Sequence, residues 1–322
     1  MRSKQAGRRR VSPIAAEDAV VIPYVRQFDF TYGRRDQVSP LIQRVIADNP
    51  GPFTFTGTGT YIVGRDMPGA GVAVIDPGPE DEAHLHALLR AVKGRTVSHV
   101  LVTHTHRDHA PLARPFAEAV GGAPILAAKP PARPIHASAP LDEDDDDDFT
   151  PGVILTGGEM IEGDGWTIEA LATPGHASNH MAFVLRDENA LFSGDHVMGW
   201  STTVVAPPDG DMAAYMDSLD RVLARGFSTI WPTHGPAITQ VAPFLKAYRD
   251  HRLEREAQVM ARLAAGDTTI AEMIPALYAA VDQRLWPAAS LSVLSHLIKL
   301  VKEGRVSADH EPAMTARYRL IG

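Results

Sequence analysis

The sequence predicts an α/β fold followed by a small helical domain, and three observations predict it. Short apolar runs are each followed at once by polar or turn residues, with helix-like stretches between most of them, the alternation expected of sheets covered by helices. Four of these strand ends deliver a histidine or an aspartate. From Val241 onward the strand pattern gives way to apolar residues at helical spacing.

Taken in order, the 322-residue chain has room for one large domain of roughly 200 to 250 residues and a small one. The basic segment 1–20 reads as a disordered tail, because no apolar stretch of signal-peptide length precedes Glu17 and Asp18, and a cytoplasmic location is expected. A basic arm touching nucleic acid is the sharper alternative for the same residues. Residues 21–240 are expected to form the large domain. In it Val72 to Ile75 leads into Asp76-Pro77-Gly78, and Val97 to Val102 leads into T-H-T-H-R-D-H at 103–109. Trp166 to Ala172 leads into T-P-G-H, ending at His176. Ala190 to Phe192 leads into S-G-D, ending at Asp195, and Thr229 to Trp231 leads into P-T-H-G, with His234. Loops beyond the carboxyl ends of strands gather ligands in α/β sheets, so the pattern predicts one site assembled from several strand ends.

The acidic run 142–148 follows the proline-rich stretch Pro130 to Pro134 and is expected to be a solvated loop that repels anions. Residues 241–322 are expected to form the small domain. The segment Ala242 to Leu263 is rich in Arg, Glu and Ala. Ile274, Leu277, Tyr278 and Val281 fall at helical spacing, as do Leu291, Leu294, Ile298 and Val301. After a break at Gly304, Met314 to Ile321 reads as a hairpin-like end, an order of elements like that of a winged-helix module.

Composition narrows the chemistry. The chain has no cysteine, which removes disulfides, thiolate ligands and cysteine nucleophiles together and leaves His, Asp and Glu for any metal. With 39 acidic against 31 basic residues and a net charge of -8, it carries no global footprint for nucleic acid or an anionic membrane. No run of about 18 apolar residues marks a membrane span.

The crowding in T-H-T-H-R-D-H asks for a partner, because a buried imidazole costs free energy unless its nitrogens are engaged. His104, His106, Asp108 and His109 cannot share one helix face, where neighbours fall at i+3 and i+4. In a tight loop after a strand, His104 and His106 can converge on one cation while Asp108 and His109 turn toward a second. Zinc accepts such imidazole and carboxylate sets with a position left open for water. His84, His86, His99, His136, His251 and His296 have no such neighbours and read as ordinary surface or packed residues.

These motifs, T-H-T-H-R-D-H, T-P-G-H, S-G-D and T-H-G, resemble in order and separation those of the metallo-β-lactamase superfamily over about residues 50 to 240. N-P-G-P-F-T at Asn49 to Thr54 and H-R-x-x-R-E at His251 to Glu256 extend the resemblance to the β-lactamase-like protein 2 subgroup, whose members carry a C-terminal winged-helix-like domain. The resemblance implies a four-layer αββα sandwich. It implies two metal ions, Zn2+ in the first place, with Fe or Mn as alternatives. His104, His106 and His176 would hold the first, Asp108, His109 and His234 the second, and Asp195 would bridge them. A hydroxide between the ions would be the nucleophile. Asp108 would also steer it or pass a proton to the leaving group. Oxidative di-iron relatives generally replace the second motif histidine with a carboxylate, and His106 stands intact, which favours hydrolysis. Asp76 would support the site loop.

His180 and His196 are candidates to orient the ligands. Trp200, Ser201, Thr202 and Thr203, on the loop that leaves Asp195, are candidate substrate contacts. Where the subgroup often reads G-T-N-T-Y, this chain has Gly57-Thr58-Gly59-Thr60-Tyr61, so the missing amide at Gly59 changes the pocket floor. The leading function is metal-dependent hydrolysis of an ester, thioester, lactone or amide bond of a small-molecule substrate. Alternatives are a phosphodiesterase or endoribonuclease acting on single-stranded nucleic acid, a β-lactamase, and a DNA-binding module built on the small domain. A reading helix at Ala288 to Glu303 would offer mainly Lys299 and Lys302, so packing over the site or a homo-oligomer contact is the expectation for that domain.

Overall fold

A computed structural model describes residues 20–130, 146 and 149–321. The basic tail to residue 19, His136 and the acidic run apart from Asp146 lie outside the described residues.

The first sheet contains β1 (Arg35–Gln37), β2 (Ile42–Ile46), β3 (Gly59–Val63), β4 (Gly71–Ile75), β5 (Thr96–Leu101), β6 (Ile125–Ala128) and β7 (Val153–Leu155), side by side in chain order. Helix α1 (Glu82–Ala91) connects β4 to β5, and α2 (Ala113–Ala119) connects β5 to β6; both strand pairs are parallel. The second sheet contains β8 (Met160–Glu162), β9 (Thr167–Ala172), β10 (Met181–Leu185), β11 (Ala190–Gly194) and β12 (Thr229–Pro232), in the order β12-β11-β10-β9-β8. Helix α3 (Met212–Arg225) connects β11 to β12, again a parallel pair.

Side chains alternate across each strand, so each sheet buries both faces. Tyr61 and Val63 of β3 meet Phe183 and Leu185 of β10 in the cluster between the sheets. Ile62 and Val74 point the other way, onto Leu88 of α1 and Phe116 of α2. Val184, Leu191 and Ile230 cover the outer face of the second sheet together with Leu219 and Val222 of α3. The result is a four-layer αββα sandwich. Asp81 and Asp211 cap α1 and α3 by accepting amides of the first turn.

Helix α4 (Val241–Ala264) belongs to two cores. Phe244 and Tyr248 pack in the outer layer of the sandwich, whereas Val259 and Leu263 pack in a separate cluster with Met273, Val293 and Leu297. That cluster is built by α5 (Ile270–Leu277), α6 (Trp286–Lys302) and the antiparallel pair β13 (Val306–Ala308) and β14 (Tyr318–Leu320). Two details differ from the sequence pattern. Helix α5 stops at Leu277, whose carbonyl accepts from Arg255 Nη1 at 2.8 Å, so Val281 lies in an exposed turn beyond it. The hairpin forms between β13, just after Gly304, and β14, so Met314 to Ile321 supplies one strand of it.

Three histidines outside the donor groups of the site make stability depend on pH. Burial pushes His84 and His251 down to about 4 and His296 down to about 3, so all three stay neutral in the folded chain. The unfolded chain, with imidazoles titrating near about 6.5, binds more protons through the window from there to about 3, so stability falls as pH falls. Urea unfolding at pH 7, 5.5 and 4 is expected to show this loss, with a shallower dependence in His84→Gln. An equal slope in parent and variant would remove His84 from the account.

Candidate metal centre

The seven motif residues meet at one edge of the sandwich. His104, His106, Asp108 and His109 follow β5 of the first sheet; His176 follows β9, Asp195 follows β11 and His234 follows β12 of the second. Glycines let the loops approach. Gly175 has φ +142°, and a Cβ there would lie 2.3 Å from Tyr215 Cα; Gly194, at φ +53°, would meet His180 Nε2 at 2.5 Å.

Three groups of donor atoms form: His104, His106 and His176; His104, His109 and Asp195; and Asp108, His109 and His234, each with its donor atoms within 4.8 Å of one another. His104 Nε2 lies 2.9 Å from His106 Nδ1, and His176 Nε2 lies 3.3 Å from the same atom. In the third group His234 Nε2 stands 2.9 Å from Asp108 Oδ2 and His109 Nε2 3.4 Å from it. Asp195 reaches both rings, with Oδ1 3.6 Å from His109 Nε2 and Oδ2 3.5 Å from His234 Nε2.

Outer hydrogen bonds decide which nitrogen of each ring is free. His176 Nδ1 donates to Val204 O at 2.7 Å, and His234 Nδ1 donates to Gly57 O at 3.3 Å. Thr103 Oγ1 donates to Asp76 Oδ2, so it accepts from His104 Nδ1 at 3.0 Å. His109 Nδ1 donates to Asp76 Oδ2 at 2.9 Å. Every inward nitrogen of these four rings is therefore a lone pair, unless it takes up a second proton. Lone pairs facing lone pairs and carboxylates in a buried site repel, and His109 Nε2 and Asp195 Oδ1 are buried with no hydrogen-bond partner among the described residues. Divalent cations fit this donor set, which has the imidazole and carboxylate composition of zinc sites.

The electrostatics divide the centre in two. Burial, reinforced by neighbouring rings, holds His104 well below its ordinary pKa and His106 down to about 3. Burial opposes charge on His109 and His234 too, yet the facing Asp108 and Asp195 carboxylates overcome it, pushing His109 well up and His234 to about 10. Burial would raise both carboxyls, but those same rings hold Asp108 and Asp195 well below the usual range. The anionic half that draws protons is equally suited to draw cations.

Asp76 is fully buried and holds the site from beneath. It accepts from Thr103 N and Thr103 Oγ1 at 2.8 Å each, from His109 Nδ1 at 2.9 Å and from Thr233 Oγ1 at 3.0 Å. His180 links two further motifs: its Nδ1 pairs with Thr173 Oγ1 at 2.8 Å and its Nε2 accepts from Asp195 N at 3.1 Å. His196 is different. Neither of its ring nitrogens has a partner among the described residues, and it packs against Tyr215 with ring centroids 4.9 Å apart, so its ring orients no ligand by hydrogen bonding. Thr203 donates its hydroxyl to Asp195 O at 2.7 Å and is fully enclosed, which makes it a brace; Trp200, Ser201 and Thr202 remain partly open along a neighbouring cavity. At Gly59, a Cβ would lie 3.1 Å from Thr233 O and 3.4 Å from Arg44 Cδ, so a residue with a side chain would press on the carbonyl before His234.

The bracing threonines are the residues that sequence reasoning passed over. Thr103, Thr173 and Thr233 each open one of the motifs, and that recurrence was the available signal.

Known proteins share both parts of this architecture. Residues 54–234 match the family described as Metallo-beta-lactamase superfamily, and residues 269–313 match the Beta-lactamase associated winged helix domain. An atrochrysone carboxyl ACP thioesterase of Aspergillus chevalieri is 32% identical over 297 residues, covering 89% of each chain. A beta-lactamase-like protein 2 homolog of Caenorhabditis elegans is 30% identical over 279 residues, covering 85% of this chain and 89% of its own. A crystal structure of a metallo-beta-lactamase family protein from Thermus thermophilus shares the fold, with a TM-score of 0.69 at 23% identity over 88% of this chain and 100% of the other.

Proposed function

The chain belongs to the metallo-β-lactamase superfamily of hydrolases, and from that membership we propose that it hydrolyses acyl thioesters at a two-zinc centre, with ester, lactone and amide bonds as related substrates. One observation carries the proposal. Imidazole nitrogens and ionised carboxylates, fixed from outside, converge from both sheets into a buried cluster whose anionic half draws positive charge, which divalent cations supply with the matching donor set. His104, His106 and His176 would hold one ion, Asp108, His109 and His234 the other, with Asp195 between them. Intact His106 favours zinc over an oxidative iron centre. The thioester is placed first because a relative covering nearly all of this chain is named a thioesterase.

Bound zinc supplies Lewis acidity and lowers the pKa of water toward neutrality. The protein's own residues do the rest. Asp76, Thr103 and His180 hold the ligands, limiting reorganisation during the reaction. Asp108, ionised and 23% exposed, stands at the open side, where it can accept a proton from water and hand it to the departing sulfur. The thioester and water leave as acid and thiol.

The division at Val241 is part of this proposal, with α4 shared between catalytic and winged-helix regions. The two lysines that a nucleic-acid reading needs are engaged: Lys299 with Glu256 and Glu303 at 2.7 Å, and Lys302 with Asp211 at 2.8 Å. Among the described residues no helix is long and apolar enough to cross a membrane.

Chelator-stripped protein, assayed before and after zinc is restored, provides the test. Turnover of an N-acetylcysteamine thioester is expected to vanish on stripping and return with about two equivalents of zinc, well above turnover of nitrocefin or single-stranded RNA. Zinc-loaded protein that cuts the RNA and leaves the thioester intact would replace this function with the nuclease.

A further inference from the structure

Residues 200–204 do more than flank the metal ligands. Their other contacts open onto a cavity of about 260 Å3 closed by α4 and α6. Its basic lining consists of Arg252, Arg255, His251 and His296, with no aspartate or glutamate among the described residues that line it. Phe53, Met198, Tyr278, Leu285 and Ala289 supply apolar and aromatic surface between them.

Among the described residues neither arginine has an acid as its ion-pair partner. Arg252 is buried, with one Nη donating to Thr203 O and the guanidinium 5.0 and 5.8 Å from the ring centres of Tyr215 and Tyr248. Arg255 donates to Leu277 O and lies 4.3 Å over the Tyr278 ring. Glu256, the neighbouring acid on α4, turns instead to Lys299 and Arg305, at 2.7 Å each. His296 is 1% exposed, and among the described residues neither of its ring nitrogens has a partner; His251 Nδ1, Arg252 Nε and Trp200 Nε1 are likewise buried and unpaired. Burial keeps both imidazoles neutral, so each has an N–H to donate. Unpaired donors beside a chamber that two arginines line and no carboxylate enters mark a place shaped for an anion.

We propose that this cavity is a subsite for the acyl group of the substrate, taking an acyl chain that ends in a carboxylate on an apolar, aromatic-sized body. The carboxylate accepts from the guanidinium groups, and the body fills the space between Phe53, Met198 and Leu285. The wall is shared: Val204 O orients His176 and Thr203 Oγ1 supports Asp195 O, so an acyl chain anchored here lies along the segment that holds the metal ligands. The role as an acyl subsite rests on the thioesterase reading, whereas the preference for an aromatic carboxylate does not.

Calorimetry on the zinc-loaded full chain with 2-naphthoate and its neutral counterpart 2-naphthamide tests the binding. The naphthoate is expected to bind about tenfold or more tightly. That preference should collapse in Arg255→Gln, and both ligands should be lost in Ala289→Phe, which fills the cavity. Equal binding of the two ligands, or a preference that survives in both variants because the carboxylate sits on zinc, would overturn the subsite. The acyl role is read separately, with N-acetylcysteamine monothioesters of terephthalic acid and of its monoamide. The ratio of kcat/KM for acid over amide should fall about tenfold in Arg255→Gln. A ratio unmoved by that variant overturns the acyl role. A naphthoate preference without turnover of either thioester would leave the anion site standing and sink the hydrolase reading alone.

Discussion

Replacing Asp76 with alanine is expected to weaken metal binding by roughly 10- to 100-fold, although Asp76 is in none of the donor groups, because partners that orient metal ligands carry effects of that size. The carboxylate accepts four hydrogen bonds, from Thr103 N, Thr103 Oγ1, His109 Nδ1 and Thr233 Oγ1. Removing it frees the His109 ring to take the other tautomer, and it releases both the loop that carries His104 and the turn before His234. It also strands four buried donors, so a stability loss of about 3–5 kcal/mol accompanies the loss of affinity. Asp76→Asn is the sharper variant. Its carboxamide keeps one acceptor oxygen but turns an NH2 group toward the remaining donors, so it should lose metal affinity with a smaller loss of stability. Chelator competition gives the affinity and urea unfolding the stability. Parent-like affinity in both variants would show that the ligand rings hold their orientation without Asp76.

The Asp108→Ala variant is expected to lose turnover by at least about 100-fold, the lower range for a group that moves protons in the transition state. It should also bind nearer one equivalent of zinc than two. The reason lies in the third donor group, where Asp108 Oδ2 stands 2.9 Å from His234 Nε2 and 3.4 Å from His109 Nε2. Without it only two imidazoles of that group remain, while His104, His106 and His176 keep their contacts. Elemental analysis beside steady-state kinetics distinguishes the roles. Loss of turnover at full zinc content would make Asp108 a proton carrier only. Loss of one zinc with turnover preserved would remove the second ion from the chemistry.

Much of this centre was legible because its chemistry is concentrated at strand ends. T-H-T-H-R-D-H follows a run of apolar residues whose strand character is local, and His104, His106, Asp108 and His109 stay together whatever the rest of the chain does. The layers were less legible: β3 and β10 are not among the runs the sequence marked, and only the closing of one sheet on the other brings Tyr61 and Val63 against Phe183 and Leu185. His196 shows the limit. It follows Asp195 directly, which suggested an orienting role, yet its side chain turns under Tyr215 of α3, and adjacency in sequence says nothing about which way a side chain leaves a tight turn. His251 and His296 show the converse. Each is unremarkable in its own helix, and they line one cavity only because α4 and α6 pack together.

By itself the sequence determined an α/β alternation, a helical end and a set of histidines and aspartates at strand ends able to bind metal, because those follow from local periodicity and from the ligand chemistry of short motifs, whereas the four layers came only from the resemblance of those motifs to a family. Tertiary structure alone decided which nitrogen of each ring faces inward and what stands behind it. Asp76 reaches His109 across 33 positions and Thr233 across 157, and Arg252 reaches Thr203 across 49. A hydrogen bond acts over about 3 Å regardless of sequence separation, so tautomers, braces and the basic cavity come into being only when the sheets and helices have closed on one another.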